Sequence, residues 1–298
     1  MKVANAPCSW GVLEFGLEGK TAGFQTVLEE MSDTGYKGTE LGDWGFMPTD
    51  PHILKETLEK QNLDLIGAFV PVNFINPMAH ERGARTAIKT AALLSAVNSE
   101  EAKIVLSDEN GHNQIRRKLA GRIKSQHGLK NSEWDLFAKG VEFVAKKVLE
   151  ETGIESVFHH HCAGFVETPG EIKHLMDRTD PDLVGLCFDT GHYAFGGGDP
   201  VNGLIKFSDR IQHVHFKDWD QKISKKSEKN EWDYFESVGN GIFCELGKGS
   251  IDFKVVLKEL RNQKYDGWIV VEQDILPGMG SPKESAKRNR EFLESIGI

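Results

Sequence analysis

Eight short apolar runs, each followed by a longer amphipathic stretch, recur along this chain, and that alternation limits its fold more than any other feature. Runs rich in Val, Ile, Leu and aromatic residues suit buried strands, and parallel neighbours need a helix-length crossover between them. The expected strands are 3–8, 36–41, 63–70, 103–107, 156–161, 183–189, 211–217 and 268–272. The expected helices are 21–34, 51–61, 79–97, 132–151, one from 169 that stops before 179, 200–208, 253–261 and 282–295. In the fourth helix Trp134, Phe137, Val141, Val144 and Val148 fall at helical spacing, with Ser132 placed as the N-cap. Strict alternation of eight and eight predicts an α/β chain folded as a (β/α)8 TIM barrel. A doubly wound open sheet is the competing architecture, but it rarely repeats so many regular units.

Such barrels run near ~250 residues as one unit, and no low-complexity linker interrupts the 298 residues, so a single domain over 1–298 is expected. Two insertions follow strands and therefore belong at the barrel mouth, where loops carry specificity. The segment 107–131 is polar and holds Arg116, Arg117, Lys118 and Arg122, whereas 218–248 holds Trp219, Trp232, Tyr234, Phe235 and Phe243.

A net charge of −9 argues against nonspecific nucleic-acid binding. No stretch approaches the ~20 apolar residues of a membrane span, and the N-terminus enters a strand-like run without a signal-peptide hydrophobic region. Cys8, Cys162, Cys187 and Cys244 are widely spaced and read as reduced thiols, which suits the cytoplasm. The partner expected is a small molecule, not a nucleic acid or a membrane; a homo-oligomer is compatible with the composition.

Four of the runs end in metal-friendly donors: Val157-Phe158-His159-His160-His161, Leu186-Cys187-Phe188-Asp189-Thr190-Gly191-His192, Ile211-Gln212-His213-Val214-His215-Phe216-Lys217-Asp218 and Trp268-Ile269-Val270-Val271-Glu272-Gln273-Asp274. In a parallel barrel all strand C-termini open onto one mouth, so these ends converge despite their separation in sequence. Residues two apart on a strand share a face, which groups His159 with His161 and His213 with His215 and Lys217. Any one of these histidines is as readily a hydrogen-bonded core residue. Four such ends at one mouth make a nitrogen and oxygen ligand set for a divalent ion: Mn²⁺ or Co²⁺ first, with Zn²⁺, Fe²⁺ or Mg²⁺ as alternatives.

Other candidates surround that set. Asp189-Thr190-Gly191-His192 puts a carboxylate and an imidazole on the turn leaving a strand, and Gly191 lets the chain bend there. Lys217 beside a metal, partly desolvated, is expected to have a lowered pKa and to serve as proton donor or carbonyl partner. Glu40 ends an otherwise apolar strand as an acid/base, a hydroxyl binder or a structural ion-pair partner. Trp10 and Trp44 follow the first two strands and offer an apolar wall for a sugar-like ring. Gly196-Gly197-Gly198 is no phosphate loop, because no GxGxxG or Walker pattern follows a strand.

Together these residues resemble the xylose isomerase-like barrel superfamily of sugar isomerases and epimerases, and within it the inosose (2-keto-myo-inositol) dehydratases. The resemblance rests on Asn5-Ala6-Pro7-Cys8-Ser9-Trp10-Gly11 and Gly35-Tyr36-Lys37-Gly38-Thr39-Glu40-Leu41-Gly42 near the start. His159-His160-His161, Asp189-Thr190-Gly191-His192, His213-Val214-His215-Phe216-Lys217-Asp218 and Glu272 extend it to the last helix. It implies a divalent metal held by His159, Asp189, His215 and Glu272, with His161 competing for the first place. Keto-sugar epimerases of the superfamily use Glu, Asp, His and Glu, and His159 stands where their first glutamate does. Losing that carboxylate argues against two-base epimerisation and suits elimination of water. The implied activity is dehydration of a cyclic keto-polyol through an enediolate. Glu272 or Glu40 would act as base, and His192, His215 or Lys217 as acid. Trp10, Glu40, Trp44, His161, His192 and Lys217 would contact substrate. The alternatives are a keto-sugar isomerase or epimerase and a 3-keto-glycoside lyase; a sugar-binding protein without chemistry and an endonuclease are more distant.

Overall fold

The computed structural model describes residues 1–12, 22–97, 101–274 and 279–298. Its strands are β1 Lys2–Asn5, β2 Gly38–Glu40, β3 Asp64–Pro71, β4 Lys103–Ser107, β5 Glu155–His159, β6 Val184–Asp189, β7 Ile211–Phe216, β8 Asp218–Trp219, β9 Phe243–Cys244 and β10 Trp268–Val271. β1 to β7 and β10 pair parallel and close into a barrel, with β10 between β7 and β1. β8 and β9 form a separate antiparallel pair in the second mouth insertion. The eight expected helices are present, among them Phe24–Asp33, Pro77–Val97, Pro169–Met176 and Phe253–Asn262; Thr21, the expected start of the first, lies outside the described residues. Leu28, Leu54, Ala91, Val144, Leu204, Val256 and Leu293 are buried, so helix after helix turns an apolar stripe onto the barrel. No described helix is long and apolar enough to cross a membrane.

Several boundaries differ from expectation for local reasons. The first strand stops at Asn5 instead of 8: Pro7 cannot donate to a ladder, and Pro7–Trp10 winds into a 3-10 turn. The fifth stops at His159. The chain then folds back so that His161 N–H donates to Val166 O at 3.0 Å, and Ala163 adopts a left-handed φ of 70°. The long fourth-layer helix begins at Asn131, so Ser132 is inside it and is not the cap; Glu133 instead accepts from Lys130 N–H at 2.7 Å. Four short helices were not expected: Gln114–Lys118, Thr190–Phe195, Gln221–Asn230 and Tyr234–Gly239. Three of them are too short to display a hydrophobic period, yet each follows an Asn or Asp whose side chain accepts from its first turn.

The first insertion is pinned by buried charge. Arg116 grips Glu171 through Nη1–Oε1 at 2.7 Å and Nη2–Oε2 at 2.9 Å, and its Nε donates to Gly164 O at 2.7 Å. Glu167 accepts from Gly121 N–H at 2.7 Å and Ala163 N–H at 2.9 Å. Burial raises the Glu167 carboxyl to about 7, against the opposing pull of Arg116. The segment bearing His161 is thus tied to the segment after β4.

Candidate active site

At the C-terminal mouth, strand register brings the expected donors together. Asp189 on β6 pairs with His215 on β7, His159 on β5 pairs with Cys187 on β6, and Val270 on β10 pairs with His215. Glu272 extends β10 by donating its N–H to Phe216 O at 3.0 Å. One ligand atom from each of His159, Asp189, His215 and Glu272 lies within 4.8 Å of all the others. His159 Nε2 is 3.5 Å from Asp189 Oδ2, and His215 Nδ1 is 3.3 Å from Glu272 Oε2.

Asp189 shows how the sequence aims such a group. Its Oδ1 accepts His192 N–H at 2.7 Å as the N-cap of helix Thr190–Phe195, which leaves Oδ2 facing the other donors. Asp189 Oδ2, His159 Nε2 and His215 Nδ1 are buried and have no hydrogen-bond partner among the described residues. Orphaned buried polar atoms are costly, and three of them around one point fit a cation there. Burial pushes the His159 imidazole far below its ordinary value, so it offers a lone pair. Of the other two consecutive histidines, His160 turns away and accepts Asp189 N–H at 3.2 Å. His161 sits in the loop with Nδ1 2.5 Å from Cys162 O and Nε2 3.3 Å from the Tyr234 hydroxyl.

Lys217 lies beside the donors with Nζ 3.2 Å from Glu272 Oε2, 3.1 Å from Asp274 Oδ1, 3.9 Å from Asp189 Oδ2 and 3.2 Å from His192 Nε2. Burial works to lower its pKa, but Asp274, Glu272 and Asp189 outweigh it and raise it well above the ordinary value. This corrects the expected lowering: Lys217 is a firmly charged ammonium. Burial opposes ionisation of Glu272 too, and the charges of His215 and Lys217 overcome it, holding its carboxyl well below the usual range. Thr190 Oγ1 accepts Lys217 N–H at 3.0 Å and donates to Lys217 O at 2.8 Å, fixing the end of β7.

A cavity open at the mouth is lined by Cys8, Glu40, Asp43, Phe69, His159, His161, His215, Lys217, Glu272 and Asp274, among others. Three expected substrate contacts are not on its wall. Trp10 is buried with its indole N–H donating to Glu30 at 2.7 Å, and Trp44 is 38% exposed under Lys89 Nζ at 3.7 Å. His192 packs 3.8 Å, centroid to centroid, behind His161 and reaches Lys217 instead. Asp274, unassigned from sequence, does line the cavity; its signal was the two-residue step from Glu272, the same alternation that links His213, His215 and Lys217. Tyr234 and Phe243 from the second insertion close in as well, with Tyr234 Oη 3.4 Å from Asp274 Oδ2 and Lys217 Nζ 4.9 Å from the Phe243 ring.

The family model for the xylose isomerase-like TIM barrel matches residues 28–296. The chain belongs to that family. Within it, the inosose dehydratase of Lacticaseibacillus casei is 33% identical over 290 residues, covering 97% of this chain and 95% of that protein. The inosose dehydratase of Bacillus cereus strain AH820 is 34% identical over 294 residues, covering 99% and 96%. The chain is an inosose dehydratase-like member of the family. Among solved structures, the IOLI protein with a bound zinc atom superposes with a TM-score of 0.69 at 15% identity, covering 99% of this chain and 98% of that one. The probable 3-DHS dehydratase AsbF from Bacillus anthracis gives 0.70 at 16% identity, covering 99% of each. At such identities these two speak for the shared barrel alone.

Proposed function

We propose that the chain is a hydro-lyase that dehydrates a cyclic keto-polyol, 2-keto-myo-inositol, with a divalent ion, Mn²⁺ or Co²⁺, held by His159, Asp189, His215 and Glu272. The observation that carries the reading is the Glu272 carboxylate 3.2 Å from the Lys217 ammonium, on a cavity wall where unpartnered donor atoms converge. The inosose dehydratases at 33–34% identity supply the substrate class. Zn²⁺, Fe²⁺ and Mg²⁺ fit the same donors.

A divalent ion there supplies Lewis-acid stabilisation of the charge that builds on the ketone oxygen. Glu272, ionised, takes the proton from the carbon beside the ketone. Lys217, charged, gives a proton to the hydroxyl leaving the next carbon, so a C–H and a C–O bond break, a C=C bond forms and water departs. Proton return from Glu272 to Lys217 across their contact restores the starting state. A positioned acid or base of this kind contributes about 10²–10⁴-fold. His161 and Asp274 offer hydrogen bonds to ring hydroxyls, and the Phe243 ring helps exclude water beside Lys217.

Incubation with 2-keto-myo-inositol and Mn²⁺ tests the reading by mass spectrometry. Loss of one water per turnover is expected, with a primary isotope effect for deuterium beside the ketone, and a chelator should abolish both. A product of unchanged mass carrying solvent deuterium would establish an epimerase instead.

A further inference from the structure

Glu40 and His213 have no part in that chemistry, yet both are buried, Glu40 on the cavity wall and only 3% exposed. One oxygen joins them to the donor set: Glu40 Oε1 is 2.8 Å from His213 Nε2 and 3.0 Å from His215 Nε2. A carboxylate only accepts, so each imidazole presents Nε2–H to it. For His215 that leaves Nδ1 as the nitrogen turned toward Glu272 and Asp189, 3.3 and 3.9 Å away.

The backbone is shaped to put Glu40 there. The register between β2 and β3 shifts between Thr39 and Glu40, the kind of irregularity that re-aims a side chain beside an active site. Opposite stands Gly67, where a Cβ would lie 3.3 Å from Glu40 Oε1.

We propose that Glu40 is a positioning residue for the metal centre: it holds His215 with Nε2 protonated and Nδ1 aimed at the cation, and His213 locks Glu40 in that attitude. The inference rests on the metal reading above and deepens it. Carboxylates that orient a ligating imidazole contribute about 10–100-fold in metal affinity.

The test is Mn²⁺ binding by titration calorimetry on metal-stripped wild type, Glu40→Gln and Glu40→Asp, with turnover followed against Mn²⁺ concentration. Glu40→Asp keeps the charge but withdraws it by one methylene, so it answers if the Gln variant fails to fold. Both variants should bind Mn²⁺ about 10–100-fold more weakly, and turnover should recover to within a few-fold of wild type once Mn²⁺ saturates. His213→Gln should show a smaller loss of affinity. Wild-type affinity with turnover lost at every Mn²⁺ concentration would overturn the proposal and make Glu40 the base. Wild-type behaviour in both variants, or a wild-type protein that binds no Mn²⁺, would overturn it too. A wild type that binds Mn²⁺ but leaves keto-inositol unchanged would sink the dehydratase reading while the affinity comparison still decides on Glu40.

Discussion

Replacing Lys217 by methionine removes the ammonium that sits among three carboxylates, Asp189 and Asp274 buried and Glu272 partly so, while keeping the length of the side chain. At an effective dielectric near 20, a contact of about 3–4 Å between unit charges is worth about 4–5 kcal/mol, and Lys217 has such contacts with Asp274, Glu272 and Asp189 at 3.1, 3.2 and 3.9 Å. Desolvation returns most of that, and breaking a buried pair by removing one partner costs about 3–5 kcal/mol. For a chain of this size each kcal/mol lowers the melting temperature by about 1.5–2 °C, so the metal-free variant should melt roughly 5–10 °C below wild type. With Mn²⁺ bound, Asp189 and Glu272 have another cation beside them, so the gap should narrow. Turnover should fall about 10²–10⁴-fold even at saturating Mn²⁺, because the acid for the leaving hydroxyl is gone. Thermal melts with and without Mn²⁺, alongside steady-state dehydration, read all three quantities. An unchanged metal-free melting temperature, or turnover within threefold of wild type, would refute the account of Lys217.

Glu167 sets a pH dependence that Glu167→Gln should flatten. Its folded carboxyl is raised from 4.5 to about 7, so across that window the folded chain holds a proton the unfolded chain has lost. Its contribution is therefore most favourable at the acid end and declines by about 3 kcal/mol as pH rises through the folded value, which urea unfolding of both proteins at about pH 5 and about pH 8 would reveal. Gly191→Ala should place a Cβ 2.7 Å from Lys217 Cγ and 2.9 Å from Lys217 O. Overpacking of that kind costs about 1–3 kcal/mol, and because it shoves Lys217 it should depress turnover more than Mn²⁺ affinity, measured on the same preparation.

The barrel was legible because its period is long and its strands are buried: runs such as Lys103–Ser107 and Ile211–Phe216 read as strands from composition alone. The convergence of His159, Asp189, His215 and Glu272 followed from the same topology. What escaped was set by bonds that no periodicity reports. Trp10 looked like a ring wall until its indole was found on Glu30, and Lys217 was assigned a lowered pKa because Asp274 was not counted among its neighbours. The short helices of the second insertion carry Tyr234 to His161 and Asp274; only their Asp caps, Asp220 and Asp233, mark them in the sequence.

Asp218, the residue after Lys217, accepts backbone N–H groups from Trp219, Gly247, Gly249 and Ile251 at 2.8, 2.9, 2.9 and 3.2 Å. One carboxylate, two residues past the end of β7, thereby ties both ends of the second insertion together. The clasp is not the segment's only tie: Arg122 donates to Trp232 O at 2.8 Å, Tyr234 reaches His161 and Asp274, and the Phe243 ring lies 4.9 Å from Lys217 Nζ. The insertion that borders the ring pocket thus also shelters the acid, so a graft aimed at new ring substrates spares the chemical step only if it keeps Tyr234 and Phe243 in place.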